Sequence, residues 1–219
     1  MILGIALAII PTTIISFIIH EKENHLKHMQ ITSGVSISAY WVSNYIFDLL
    51  KTGFQIGLIL ILSEVSEIEQ PEGLWQSFVL FVPVIVSYTY MMSLCFKKQL
   101  TAQIVTLFTS YLFGGIMACV WYFLKRIPTD GTQLVADKLR WIFQPLPTYA
   151  VCQGLILSKT HDQLSLTDGV FETFSMDNLK GNYMFMIGTG TISLLILIIV
   201  EAGLLNYFAR CTLRSLPSQ

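Results

Sequence analysis

The sequence predicts an all-α fold: a polytopic membrane helix bundle of about five transmembrane helices, with one polar helix between spans and a pair of short helices that re-enter the bilayer. Three features point there. Of the 219 residues, 53% are hydrophobic and only 12% charged, and the mean hydropathy of +0.63 lies outside the range of ordinary soluble domains. The apolar residues gather into five runs, each near or above the roughly 20 residues a helix needs to cross the hydrocarbon core. Most of the charges lie in the intervals between those runs, a segregation that the net charge of −1 hides, so that sum says nothing about partners. No basic patch supports a nucleic-acid role. The whole chain, 1–219, reads as one membrane domain.

The first span covers residues 1–19, about 28 Å as a helix, with Pro11 inside it to remove one backbone donor and kink the axis. It has neither the basic start nor the small-residue cleavage site of a signal peptide. The polar helix follows over 20–34. Leu26, Met29 and Ile31 are its sizeable apolar residues, set among Glu21, Lys22, Glu23, His25, Lys27 and His28. That pattern is too polar for lipid and reads as an interfacial or partner-binding helix, with Ser33-Gly34 as its C-terminal cap.

The second span, 37–63, is longer than the bilayer requires and opens with the aromatic belt of Tyr40, Trp41 and Tyr45. Glu64, Glu67, Glu69 and Glu72 form an acidic loop. The third span is 74–96, with Pro83 inside it; Lys97-Lys98 makes a basic turn, and the fourth span is 100–123. Between 124 and 157 lie two half-apolar segments, 133–143 and 147–157, separated by Gln144-Pro145-Leu146-Pro147. Both are too short to cross, so they read as a re-entrant helical hairpin whose tip must be satisfied by protein rather than lipid. Residues 161–181 read as polar loop, 184–209 as the last span and 210–219 as a basic tail.

Lys22, Lys27, Lys97, Lys98, Arg210 and Arg214 fall on one side of this topology and the acidic 64–72 loop on the other. The positive-inside rule puts the first set in the cytosol, and hence the hairpin outside. An outside start with nothing before it to carry it across suggests a further span ahead of residue 1.

The sequence carries no phosphate-binding G-x-x-x-x-G-K-[ST] loop and no glycine-rich dinucleotide turn, so no catalytic residue or bound cofactor is expected in this chain. His20 and His25 are five apart and off one another's helical face, unlike the paired ligands of a zinc protease; His25 and His28 share a face but have no evident third ligand. Cys95, Cys119, Cys152 and Cys211 have no metal-ligand spacing and read as packing residues. Three ionisable residues lie within spans: Asp48, Lys51 and Glu201. Intramembrane charge is costly and functional by default. Asp48 and Lys51 are either a self-neutralising i,i+3 pair or part of an ion path, and Glu201 is either an interhelical hydrogen-bonding group or a protonatable gate. Gly53-x-x-x-Gly57 would permit close helix approach.

The run Glu21-Lys22-Glu23-Asn24-His25-Leu26-Lys27-His28-Met29-Gln30, then Thr32-Ser33-Gly34-Val35, Tyr40-Trp41, Asn44 and Asp48, resembles the A subfamily of ATP-binding-cassette transporters. There a charged helix ending in a Ser-Gly turn leads into a span that begins Tyr-Trp. Ser93–Phe96, Thr101-Ala102-Gln103, Trp141–Leu155 and Glu201 recur in the same order. The resemblance implies the ABC-2 type membrane part of a lipid exporter or importer, lacking its first span, external domain and nucleotide-binding domain. ATP and Mg would bind on that missing domain; the partners would be that domain, a second transmembrane half and membrane lipids. The membrane would be the plasma membrane or an endomembrane. It also implies that 20–34 is the coupling helix, with Leu26 and Met29 as apolar anchors in a groove of the ATPase domain, and that about 124–157 is the external re-entrant hairpin. Family members commonly have more basic residues in the coupling helix, whereas Glu21 and Glu23 here balance Lys22 and Lys27. The competing reading is a self-contained ion channel or secondary carrier built on Asp48, Lys51 and Glu201. Against it, five spans provide no even inverted repeat.

Overall fold

A computed structural model describes the backbone of residues 2–65, 74–127, 130–164 and 176–214. The side chains of residues 2, 3, 27, 28, 31, 37, 38, 63, 74, 130, 158–164, 176–179 and 201–214 lie outside the described set, as do the acidic loop beyond Val65 and the end of the basic tail. Among the described residues the protein is all-α, with no strand.

Helix α1 (Ile2–Glu23) is the axis of the bundle. It packs along α5 (Gln99–Thr109) and the π-helical turn Ser110–Ile116 that continues it, and touches α4 (Leu74–Ser93) on another face. Helix α6 (Met117–Arg126) completes that same membrane-crossing helix, and α9 (Met176–Arg214) lies along α4. Helix α3 (Ile37–Val65) leans on α4 and meets α1 only lightly, leaving Leu50, Phe54 and Leu62 outward. The core comprises Leu7, Ile10 and Ile14 of α1, Phe78, Phe81 and Ile85 of α4, and Met186 of α9, all buried. An outward apolar face is what lipid solvent permits, because lipid imposes no penalty on exposed leucine. Five of these helical stretches are long and apolar enough to cross a membrane: Gly4–Glu23, Ala39–Leu62, Trp75–Ser93, Gln99–Arg126 and Lys180–Val200.

Several boundaries differ from the sequence-based expectation. The polar segment is not one helix: α1 runs unbroken to Glu23, and α2 (Leu26–Thr32) starts after a break at Asn24-His25. The Asn24 N–H still reaches the His20 carbonyl at 3.1 Å, but the His25 N–H turns to the Lys22 carbonyl at 3.4 Å, so the α-helical ladder ends there. His25 then adopts φ +56, the left-handed region where His and Asn are enriched. Gly34, at φ +99, provides the expected left-handed stop before α3. Helix α4 ends at Ser93, where turn bonds from Leu94 and Cys95 close it. The expected polar loop, 161–181, is helical at both ends, α8 (Pro147–Leu164) reaching Leu164 and α9 being helical from Met176, while residues 165–175 lie outside the described residues. Hydropathy stops where lipid stops, but helices need not.

The glycine spacing Gly53-x-x-x-Gly57 brings nothing within 4 Å of either position. Close approaches occur elsewhere: Gly4 against Gly115, Gly114 against Thr148 and Gly190 against Val84.

Helices α7 (Asp130–Phe143) and α8 form a hairpin beside α6 and the π turn. At its open end the Lys125 ammonium meets Asp137 at 2.8 Å, and Trp121, Ala136 and Leu157 pack together. At its tip Phe143 stacks on Phe113 with centroids 5.4 Å apart. Asp137 and Phe143 are about 9 Å apart along α7, so the two contacts fix that length of the hairpin beside the crossing helix. Its tip is pinned by a buried chain of amides: Arg140 Nε donates to Gln144 Oε1 at 3.3 Å, Gln144 Nε2 to Asn182 Oδ1 at 3.3 Å, and Asn182 Nδ2 to the Ala150 carbonyl at 2.6 Å. These bonds satisfy polar groups that lipid could not.

Candidate functional site

The residues expected to face a partner divide into two groups at the α1–α2 elbow. Glu21, Lys22 and Glu23, still on α1, turn toward the bundle. Glu21 is buried and accepts a hydrogen bond from the Tyr40 hydroxyl, tying α1 to the first turn of α3. Lys22 donates to the Ser93 and Phe96 carbonyls at 3.3 and 3.1 Å, at the end of α4. Glu23 accepts the Gln99 backbone N–H at 3.0 Å, capping the start of α5. The signs agree with the helix dipoles, a cation at a C-terminus and an anion at an N-terminus. One turn of α1 therefore holds the ends of α3, α4 and α5.

Beyond the break, His25 is exposed and its carbonyl accepts the Met29 N–H at 3.2 Å. Leu26 is 36% and Met29 64% exposed, so both apolar anchors of α2 face outward. The side chains of Lys27 and His28 lie outside the described residues.

Sequence reasoning missed a polar strip deeper on the same side. Gln99 Nε2 and Gln103 Nε2 donate to Ser16 Oγ at 2.9 and 2.5 Å, and His20 Nδ1 lies 3.1 Å from Gln99 Oε1. The i,i+4 pair of glutamines at the start of an apolar span was the available signal.

Asp48 and Lys51 are indeed brought together. Asp48 is 1% exposed, and its Oδ2 accepts the Tyr90 hydroxyl at 2.7 Å, while Oδ1 lies 3.7 Å from the Lys51 ammonium. Tyr90 sits in an aromatic group with Trp41 and Tyr45, at 5.5 and 5.9 Å between centroids. The side chain of Glu201 lies outside the described residues. Among the described residues no three His, Cys, Asp or Glu side chains gather as metal ligands would.

A family profile described as ABC-2 family transporter protein matches residues 1–200. The chain belongs to that family. Over 216 residues it is 27% identical to the mouse (Mus musculus) glucosylceramide transporter ABCA12, covering 91% of this chain and 8% of that protein. The human (Homo sapiens) retinal-specific phospholipid-transporting ATPase ABCA4 is 24% identical over 90% of the chain and 9% of its own length. Human ATP-binding cassette sub-family A member 2 is 24% identical over 97% of the chain and 9% of its length. The chain thus spans 8 to 9% of these relatives. It is an ABC-2 membrane domain, integral and multi-pass. In this ABC-2 domain, Asp48 and Lys51 are a charge pair bonded to a neighbouring helix, and family membership displaces the channel reading built on them.

Proposed function

We propose that this domain is the permease part of an ATP-driven transporter that moves lipids, powered by a nucleotide-binding domain that carries ATP and Mg and paired with a second transmembrane half. The observation that carries the reading is the α1–α2 elbow. A short helix with Leu26 and Met29 exposed stands just beyond a turn of α1 whose three consecutive side chains grip three other helices. A groove on an ATPase domain that took up those two anchors would move α2 as a rigid body, and the grip of Glu21, Lys22 and Glu23 would carry that motion into α3, α4 and α5 together.

On this reading the α2 end is cytosolic, as the Lys and Arg of the short loops favour. The α7–α8 hairpin re-enters the bilayer from the opposite face, supported by its buried amide chain. Lipid as cargo is supported by the lipid names of two relatives and by an exterior apolar along most of its length.

The test uses the full-length transporter carrying Leu26→Asp together with Met29→Asp. Membrane insertion is expected to be unchanged, while stimulation of ATP hydrolysis by lipid is lost and lipid movement stops. Normal lipid-stimulated hydrolysis in that variant would remove α2 from the coupling role.

A further inference from the structure

Helices α7 and α8 run antiparallel in their hairpin, and two contacts set their register. Phe143 lies against Tyr149 with ring centroids 6.0 Å apart, and Ala136 packs with Leu157. Gln153 stands midway between Tyr149 and Leu157 on α8, one turn from each and so on the same face. Midway between Ala136 and Phe143 on α7 stand Leu139 and Arg140. The register therefore sets Gln153 opposite the Arg140 turn, inside the hairpin.

Tyr149 and Gln153 are both fully buried. The Tyr149 hydroxyl and the Gln153 Nε2 and Oε1 have no hydrogen-bond partner among the described residues. Buried polar atoms left bare cost free energy, and three of them within one turn of a helix call for something that meets them. The neighbouring amides are bonded elsewhere: Arg140 Nε donates to Gln144, Gln144 to Asn182, and Asn182 to the Ala150 carbonyl. There is also a way in. Arg140 is half-buried, and a Cβ added at Gly181 of α9 would find Arg140 Nη2, at 4.0 Å, as its nearest described neighbour. The guanidinium thus joins the hairpin interior to the surface with room beside it.

We infer that the interior of the hairpin, between Tyr149, Gln153 and the Arg140 turn, is a binding site for water. The donor set selects that ligand. Gln153 Nε2 offers hydrogens, Gln153 Oε1 accepts, and the phenol does either, so the occupant must donate and accept within a small space. An anion would face the amide oxygen, and a cation would face the Arg140 guanidinium. Water is neutral, has both capacities and typically makes about three bonds when buried. It would extend the chain of amides at the hairpin tip up the next turn of α8. Bonds made through water re-form as helices slide, so α8 could shift along α7 without leaving a buried group bare.

The experiment is X-ray footprinting of the full-length transporter in nanodiscs, with buffer enriched in H₂¹⁸O and oxidised residues mapped by mass spectrometry. Bound water yields hydroxyl radicals in place, so a buried residue is oxidised only where water sits beside it. Tyr149 is expected to oxidise severalfold faster than Phe81, which is equally buried but lies in the apolar core. Gln153→Leu is close in volume and removes both bare amide atoms. It should slow oxidation of Tyr149 severalfold and lower the apparent unfolding midpoint by about 2–4 °C, the size of one lost hydrogen bond. Tyr149→Phe keeps the ring against Phe143 and should lower the midpoint similarly, and the double variant should lose less than the sum, because the two groups share their water. Oxidation of Tyr149 no faster than that of Phe81 would overturn the site. So would unchanged oxidation of Tyr149 in Gln153→Leu, or a Gln153→Leu protein more heat-stable than its parent, since an amide that water never met is better replaced by an apolar group.

Discussion

The pairing of Asp48 with Tyr90 makes a quantitative prediction about what holds α3 to α4. Replacing Asp48 by alanine strips the acceptor from a buried phenol whose bond is 2.7 Å long, which costs about 1–3 kcal/mol. It also leaves Lys51 without its counter-charge. Breaking a fully buried ion pair costs about 3–5 kcal/mol, but this one is 3.7 Å apart and the lysine is 28% exposed, so screening and a turn of the flexible stem toward the interface reduce it to about 1 kcal/mol. The sum is about 3 kcal/mol. For a domain of this size that is a fall of about 6–12 °C in midpoint. Asp48→Asn keeps an acceptor for Tyr90 and loses only the charge, and should cost about a third as much. Tyr90→Phe keeps the ring against Trp41 and Tyr45 and leaves Asp48 Oδ2 without its donor, about 1–3 kcal/mol. In the double variant Asp48→Ala with Tyr90→Phe nothing is left unsatisfied by the pair, so the loss should be smaller than the sum of the single losses by about 1 kcal/mol or more. The assay is the apparent unfolding midpoint of the detergent-solubilised transporter at one fixed scan rate, since membrane domains of this kind unfold irreversibly. Strictly additive losses, or Asp48→Asn as damaging as Asp48→Ala, would refute the hydrogen bond as the element that matters.

Three further outcomes follow from other contacts. Glu23→Ala removes the cap on the first turn of α5, a loss of about 0.5–2 kcal/mol; amide exchange should quicken around residues 98–102 and stay unchanged in α9. Gly190→Ala sets its Cβ 2.9 Å from Val84 Cγ2, so it should destabilise by about 1–3 kcal/mol, and Val84→Ala in the same protein should recover part of that loss; a double variant no better than the single one would argue against this contact. Burial pushes the Cys152 thiol up to about 12, so at pH 7 it carries almost no thiolate, whereas Cys95 is exposed. Maleimide at pH 7 should modify Cys95 and spare Cys152, and raising the pH to 9, still well below 12, should not change that; rapid modification of Cys152 in the folded protein would contradict its burial.

The spans were legible because hydropathy over about 20 residues is the strongest signal a membrane sequence carries. Their ends were not, because a helix continues past the lipid wherever its backbone finds partners. Asn182 fell between the expected loop, 161–181, and the expected last span, 184–209, yet it is fully buried and bonded to Gln144 and the Ala150 carbonyl; a polar residue beside apolar ones does not announce which helix will satisfy it. The elbow was read as one helix for a related reason. Charge density marked 20–34 as polar, but the break sits at one residue, His25, whose backbone takes the left-handed region. Asp48 and Lys51 were legible as a pair by their spacing. Tyr90, the group that bonds Asp48, lies 42 residues away, and such a partner cannot be read from a single chain. The glycines show the same limit from the other side: the familiar small-residue spacing at Gly53 and Gly57 packs against nothing described, while Gly114 and Gly190, which carry no motif, lie under tight contacts.

The polar groups inside this bundle fall into two classes, and the division bears on mechanism. The amides at the hairpin tip, the glutamines on Ser16 and the carboxylates of Glu21 and Glu23 each have named partners, so they fix helix ends and hairpin depth. A second set has no hydrogen-bond partner among the described residues: Thr52 Oγ1 and Gln55 Oε1 on α3, Thr106 Oγ1 on α5, and Gln153 Nε2 and Oε1 on α8. Thr52 and Gln153 are fully buried, so their unmet atoms cost free energy and hold no helix end in place. Helix α3 meets α1 only lightly, and its first turn is tied by Tyr40 to the same α1 elbow that leads to α2. A displacement of the elbow would reach α3 through that bond and pass on to α4 through Asp48 and Tyr90.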